Sequence, residues 1–197
     1  MLQAIFKFIQ KLTGWRLAQP NVPEIDKAVC IFAHHTSNWD FVTMLIAKFS
    51  WNLKVRYLGK HSLFGPATGW FFRALGGIPV IRHEKQDTVG QIADLIKSSD
   101  KILLALSPEG TRTYKDYWKT GFYHIAERAN VPIIMFYLDT KTRTIGFSDP
   151  IPVSGDIEAD FKIYADFFKD KTGFLPHKAS IVQTKSQYLE SKKASQE

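Results

Sequence analysis

Between two apolar runs, residues 33–42 read AHHTSNWDFV, and two of their side chains have the types of a proton-transfer pair: His35 and Asp40. Five positions put them on opposite faces of a strand and about 140° apart around a helix, so they meet only across a bend. Thr36, Ser37 and Asn38 are turn and N-cap residues, which lets the chain leave a strand at His35 and start a helix near Ser37. Asp40 then falls in the first helical turn, within reach of the imidazole. The same residues form a capping-box pattern, in which Asp40 stabilises the helix end. The two roles are compatible, because a helix N-terminus favours the ionised carboxylate that holds an imidazole tautomer and stabilises its cation. The chemistry implied is a general base, His35, with Asp40 as its orienter.

A second polar cluster, SPEGTRT at 107–113, follows an apolar run. Pro108 ends the run, Gly110 permits a tight turn and close approach, and Arg112 presents a forked guanidinium suited to a phosphate. Arg82, which closes GGIPVIR at 76–82, offers a second fork. Taken alone, the turn also reads as an ordinary Glu–Arg pair.

These clusters need a frame that brings them to one edge. Strand patterns lie at 28–34, 54–59, 78–82, 101–107, 131–138 and 142–151, each a short run rich in β-branched or aromatic residues. Helical periodicity separates them at 40–51, 87–99 and 119–130, with a broken apolar helix at 63–76. The alternation predicts a single α/β domain with a largely parallel sheet flanked by helices on both faces. In such open sheets, active groups gather beyond the carboxyl ends of the strands, where these clusters fall. The tail after about Gln187 reads as frayed.

His35 to Asp40, Gly76 to Arg82, PEGTRT at 108–113 and VPIIM at 131–135 occur in this order. Together they resemble the glycerolipid acyltransferase family that includes the lysophosphatidate acyltransferases, over roughly 25–150. Thr113 stands where that family usually has Ser, Met135 replaces a final Pro, His34 stands where Asn is frequent, and Ser107 replaces an aromatic. The resemblance implies a glycerol-3-phosphate acyltransferase-like fold and direct transfer of a fatty acyl chain from acyl-CoA or acyl carrier protein to a lysophospholipid, foremost 1-acyl-glycerol-3-phosphate. His35 would deprotonate the acceptor hydroxyl, Asp40 would orient it, and Arg82, Glu109, Gly110, Thr111 and Arg112 would bind the acceptor, the two arginines through its phosphate. Phe41, Met44, Leu45 and Phe49, with Leu63, Phe64, Trp70, Phe71 and Phe72, are candidates to line an acyl groove or to pack in the core.

Composition narrows the partners. Twenty-six Lys and Arg against 19 Asp and Glu give the 197-residue chain a net charge of +7, which favours anionic surfaces or substrates. The basic residues are dispersed, without zinc-finger spacing or basic-region heptads, so nucleic acid is not an expected partner. Residues 2–12 place Leu2, Ile5, Phe6, Ile9 and Leu12 on one helical face, too short and too charged to span a bilayer. This face either lies on a membrane or packs on the domain; residues 1–18 are expected to be an amphipathic membrane-surface helix and 19–197 the acyltransferase domain, attached peripherally to the anionic cytoplasmic face of a membrane. The one cysteine, Cys30, lies in an apolar run and reads as a buried small hydrophobe. No phosphate-binding glycine loop or dinucleotide fingerprint is present, so no cofactor is expected. His34, His35 and Asp40 lack the spacing of a metal site. The rival readings are a remodelling acyltransferase or transacylase for another lysolipid or a hydroxylated aminolipid, a lipid hydrolase in which the pair activates water, and a non-catalytic basic lipid-binding module.

Overall fold

The structure is a computed structural model that describes residues 2–80 and 87–195. Seven strands form one sheet: β1 (Arg16–Leu17), β2 (Lys27–Ala33), β3 (Val55–Lys60), β4 (Gly77–Val80), β5 (Ile102–Leu106), β6 (Ile133–Asp139) and β7 (Thr144–Phe147). Their order is β1-β7-β6-β2-β5-β3-β4, parallel throughout except for the β6–β7 pair. The alternation in the sequence dictates this, because strands joined through helices return in the same direction. A short turn joins β6 to β7, so that pair alone is antiparallel.

Strand β2 is central, paired with β5 on one side and β6 on the other. Its alternate residues pack on opposite faces. Val29, Ile31 and Ala33 join Ile92, Ala93 and Ile96 of α4 (Thr88–Ser98), and Phe122, Tyr123, Ile125 and Ala126 of α5 (Gly121–Ala129). Phe161, Tyr164 and Phe168 of α6 (Ile157–Phe168) complete that core. Ala28, Cys30 and Phe32 face the opposite side, where Met44 and Ala47 of α2 (Asn38–Ser50) pack with Trp51. Both faces are thus covered, as expected of strands that read as near-continuous apolar runs.

The broken apolar segment resolves into a 3₁₀ turn, His61–Phe64, and a six-residue helix α3 (Gly69–Ala74). Helix α1 (Leu2–Leu12) stops at Leu12, and Arg16–Leu17 joins the sheet beside β7. Its Phe6 stacks on Phe49 of α2 at 4.6 Å, and the Gln3 amide donates to the Ser50 carbonyl. Leu2, Ile5, Phe8 and Leu12 remain on its open side, with Leu12 75% exposed. No helix among the described residues is long and apolar enough to cross a membrane.

Two elements go beyond the sequence reading. The segment after Pro152 builds α6, whose aromatic side chains enclose Trp118. The tail expected to fray is instead helix α7 (Lys185–Ala194), started by a capping box in which Thr184 and Gln187 satisfy each other's backbone. Its low apolar content hides it from a periodicity search, whereas the cap fixes its start locally.

Candidate active site

His35, Thr36 and Ser37 connect the carboxyl end of β2 to α2, and the capping box expected there is present: the Ser37 side chain accepts from the helix backbone and Asp40 accepts from the Ser37 N–H. One oxygen of Asp40 gathers three donors. Its Oδ2 accepts from the Thr36 N–H at 2.6 Å and the Ser37 N–H at 2.7 Å, and lies 3.1 Å from the His35 Nδ1. A carboxylate only accepts, so Nδ1 carries the proton and Nε2 the lone pair. Among the described residues no group bonds Nε2. The His35 side chain is 25% exposed while Asp40 is fully buried, so the ring is reachable and its anchor is not.

Glu109 fixes the same loop from behind. It is buried on the turn after β5, where its Oε1 accepts from the His35 N–H at 2.7 Å and its Oε2 from the Ser180 hydroxyl at 2.9 Å. Burial pushes the carboxyl pKa up, opposed by these two donors and by the nearby imidazole. Both oxygens are engaged within the protein, so Glu109 shapes the site by holding the backbone of His35. The sequence places it in the acceptor pocket and gives no sign of this bond, which joins residues 74 positions apart.

The rest of the turn is open. Gly110 adopts φ +64°, the left-handed region, and a Cβ there would stand 3.3 Å from the Lys119 Nζ. A bare backbone therefore lets the Lys119 side chain lie across the turn. The Lys119 N–H donates to the Pro108 carbonyl at 3.0 Å, which ties the start of α5 to the turn. Arg112 is exposed with no partner for its guanidinium among the described residues, and Thr111 pairs with the Thr113 hydroxyl at 3.0 Å. Lys119 is a cation at this turn that sequence reading overlooks. The signal available was its place just ahead of an apolar helix in KTGFYHIAERAN. Arg82 lies outside the described residues.

Beside His35 lies an apolar cavity of about 210 Å³, lined by Phe32, Phe41, Met44, Leu45, Trp51 and Leu58 among others. Of the expected groove residues, Phe41, Met44 and Leu45 reach it, whereas Phe49 is taken by Phe6. Phe64 is buried against Phe72, and Trp70 and Phe71 face outward from α3, Trp70 at 69% exposure. The cavity extends along α2 from Phe41 to Trp51, about 15 Å at 1.5 Å per residue. Cys30 also lines it, and burial without a compensating charge pushes its thiol pKa far up. A thiolate nucleophile is disfavoured there. His34, next to His35, is buried and its pKa is lowered chiefly by desolvation, so it stays neutral. Among the described residues no group of three or more His, Cys, Asp or Glu side chains converges in a way that would hold a metal ion.

The geometry is that of an imidazole with a fixed tautomer at an apolar cavity, next to a turn whose cations, Arg112 and Lys119, have no acidic partner among the described residues. Comparison with known proteins gives concordant results. The family model described as Acyltransferase matches residues 18–138. A 1-acyl-sn-glycerol-3-phosphate acyltransferase of Haemophilus influenzae is 28% identical over 166 residues, covering 75% of this chain and 67% of that protein. The enzyme of the same name from Escherichia coli is 30% identical over 122 residues, or 59% of this chain and 49% of that one. The chain therefore matches two thirds and one half of these relatives' lengths. The crystal structure of the 1-acyl-sn-glycerophosphate (LPA) acyltransferase PlsC from Thermotoga maritima superposes with a TM-score of 0.60. It covers 97% of this chain and 78% of its own at 15% identity, and so shares the fold.

Proposed function

The chain belongs to the acyltransferase family, and from that premise we propose that it transfers a fatty acyl group from acyl-CoA or acyl carrier protein to the free hydroxyl of 1-acyl-glycerol-3-phosphate, forming phosphatidate. The observation that carries the reading is the His35–Asp40 pair beside the apolar cavity: a base with its lone pair free, next to a space suited to a hydrocarbon chain.

In this mechanism the acyl chain lies along α2 with its thioester carbonyl near His35. The Nε2 of His35 takes the proton from the acceptor hydroxyl as the oxygen attacks that carbonyl, and the imidazolium formed is stabilised by Asp40. The tetrahedral intermediate collapses with departure of the thiolate, which recovers the proton from His35. The new bond is the ester C–O and the broken one the thioester C–S, so the protonation state of the enzyme is restored. The high thiol pKa of Cys30 supports direct transfer without an acyl-enzyme.

Arg112 and Lys119 would clamp the acceptor's phosphate, with Gly110 and Thr111 shaping the turn, and the sequence resemblance adds Arg82 to the acceptor-binding set. Arg112→Ala is expected to raise the KM for 1-acyl-glycerol-3-phosphate by about tenfold, the loss of one charge-assisted contact. An acylglycerol lacking the phosphate should show no such change. An equal loss for both acceptors overturns the clamp.

The open faces of α1 and α2 suit an anionic membrane surface. Leu2, Ile5, Phe8 and Leu12 on α1 and Trp39 and Val42 on α2 are exposed, in a chain of net charge +7. Phe8→Asp with Leu12→Asp is expected to abolish co-sedimentation with phosphatidylglycerol vesicles, and wild-type binding by this variant overturns the assignment. The test of the activity itself is labelled acyl donor with a panel of lysophospholipids. Labelled phosphatidate supports the reading, and labelled free fatty acid alone favours a hydrolase.

A further inference from the structure

The C-terminal segment lies beyond the residues matched to the family and still grips the loop that carries His35. The Leu175 N–H donates to the Thr36 hydroxyl at 3.1 Å, and the Ser180 hydroxyl donates to Glu109 at 2.9 Å. The segment is itself fastened. Its Thr172 carbonyl accepts from the Thr140 N–H, the Ile181 N–H donates to the Lys115 carbonyl, and the Gln183 carbonyl accepts from the Trp118 N–H. Gly173 abuts the loop so closely that a Cβ there would stand 2.9 Å from the Thr36 Oγ1.

We propose that Ser180 is a positioning residue for His35, acting through Glu109; the proposal rests on His35 being the general base. Residues 34–37 belong to no strand or helix, so ladder bonds do not fix the His35 backbone. Its N–H is held by the Glu109 Oε1 instead. A buried carboxylate tied at one oxygen can still turn about its terminal torsion. Ser180 ties the other. The hydroxyl is held in place because it accepts from the Lys115 N–H at 3.1 Å, which leaves its own proton for Glu109. The chain of bonds runs Lys115 N–H, Ser180 hydroxyl, Glu109 carboxylate, His35 N–H, and every side chain in it is buried: Ser180 is 3% exposed and Glu109 1%. Without the hydroxyl, the buried carboxylate keeps only the Ser180 backbone N–H on that side and loses the 2.9 Å bond that fixes Oε2, so it turns or takes up a proton. Either change loosens the His35 N–H contact and misplaces the base.

The test uses the full chain with oleoyl-CoA and 1-oleoyl-glycerol-3-phosphate. A base misplaced by a fraction of an ångström loses rate, so Ser180→Ala should lower kcat by about tenfold or more while the KM of either substrate stays within about twofold. Ser180→Thr retains the hydroxyl and should restore kcat to within about threefold of wild type. Should the alanine protein fail to fold, Ser180→Cys, nearly isosteric with a weaker donor, reads the same property and should lower kcat at unchanged KM. Wild-type kcat in a folded alanine or cysteine variant overturns the proposal. So does a threonine variant as slow as alanine at the wild-type melting temperature. His35→Ala separates the two failures: an active His35→Ala protein removes the base itself, whereas an inactive one beside a fully active Ser180→Ala removes only the role of Ser180.

Discussion

His35→Ala is expected to lower kcat for acyl transfer to 1-acyl-glycerol-3-phosphate by about 100-fold or more, the lower end of what general-base catalysis supplies. The fold should survive. The side chain is partly exposed, makes its one ring hydrogen bond among the described residues with Asp40, and lies outside the three buried clusters described. The backbone N–H held by Glu109 and the capping box of α2 remain in the alanine protein. Melting temperature and vesicle binding should therefore match wild type. An alanine variant turning over at near wild-type rate sinks the assignment, whereas a wild-type protein that binds vesicles and shows no transfer favours the lipid-binding module. Loss of transfer with continued release of free fatty acid points instead to a hydrolase that uses another base.

Asp40→Asn separates the helix cap from the chemistry, and is expected to lower kcat by about 100-fold with only a modest loss of stability. Two backbone N–H groups point at the Oδ2 position, so the amide must put its oxygen there and its NH2 where Oδ1 stood. The oxygen can still accept from the His35 Nδ1, so the tautomer is kept and the negative charge is lost. The imidazolium formed during transfer then has no counter-charge, which acts on kcat. The NH2 enters a buried position where Oδ1 has no partner among the described residues, a cost of about 1–3 kcal/mol for an unsatisfied donor. Asp40→Ala also removes the cap, for a further loss of about 1 kcal/mol, and should be no faster than the asparagine protein. Wild-type kcat in Asp40→Asn reduces Asp40 to a helix cap.

Much of this was local and hence readable in the sequence. Alternation of β-branched runs with 3.6-residue periodicity marks the sheet and its covering helices, because each element must present an apolar face with its own period. Ser37 and Asp40 announce their cap through a spacing of three, and the cap is present. The helix α7 was missed because its signal is a polar cap with almost no apolar face to follow. Lys119 was missed because its relation to Gly110 spans nine positions across a loop, with no periodicity to record it.

Glu109 shows the boundary most clearly. Residue type and turn context mark it as a polar group near the site, yet the direction in which its carboxyl points is not a property of the turn. That direction depends on β2 and β5 being neighbours, which brings the ends of two apolar runs about 75 residues apart to one edge. It depends equally on a C-terminal segment that returns to supply Ser180. The cavity has the same origin: Phe32, Phe41 and Leu58 come from three elements, and only their packing leaves a space beside His35. The sequence by itself determined most of the element types, the open α/β class and the meeting of His35 with Asp40 across the turn, since each rests on neighbours within one or two turns of chain. The tertiary structure alone decided what holds the His35 backbone, what lies beside its ring and which cation lies across the neighbouring turn, because those are contacts between residues whose separation no local pattern encodes.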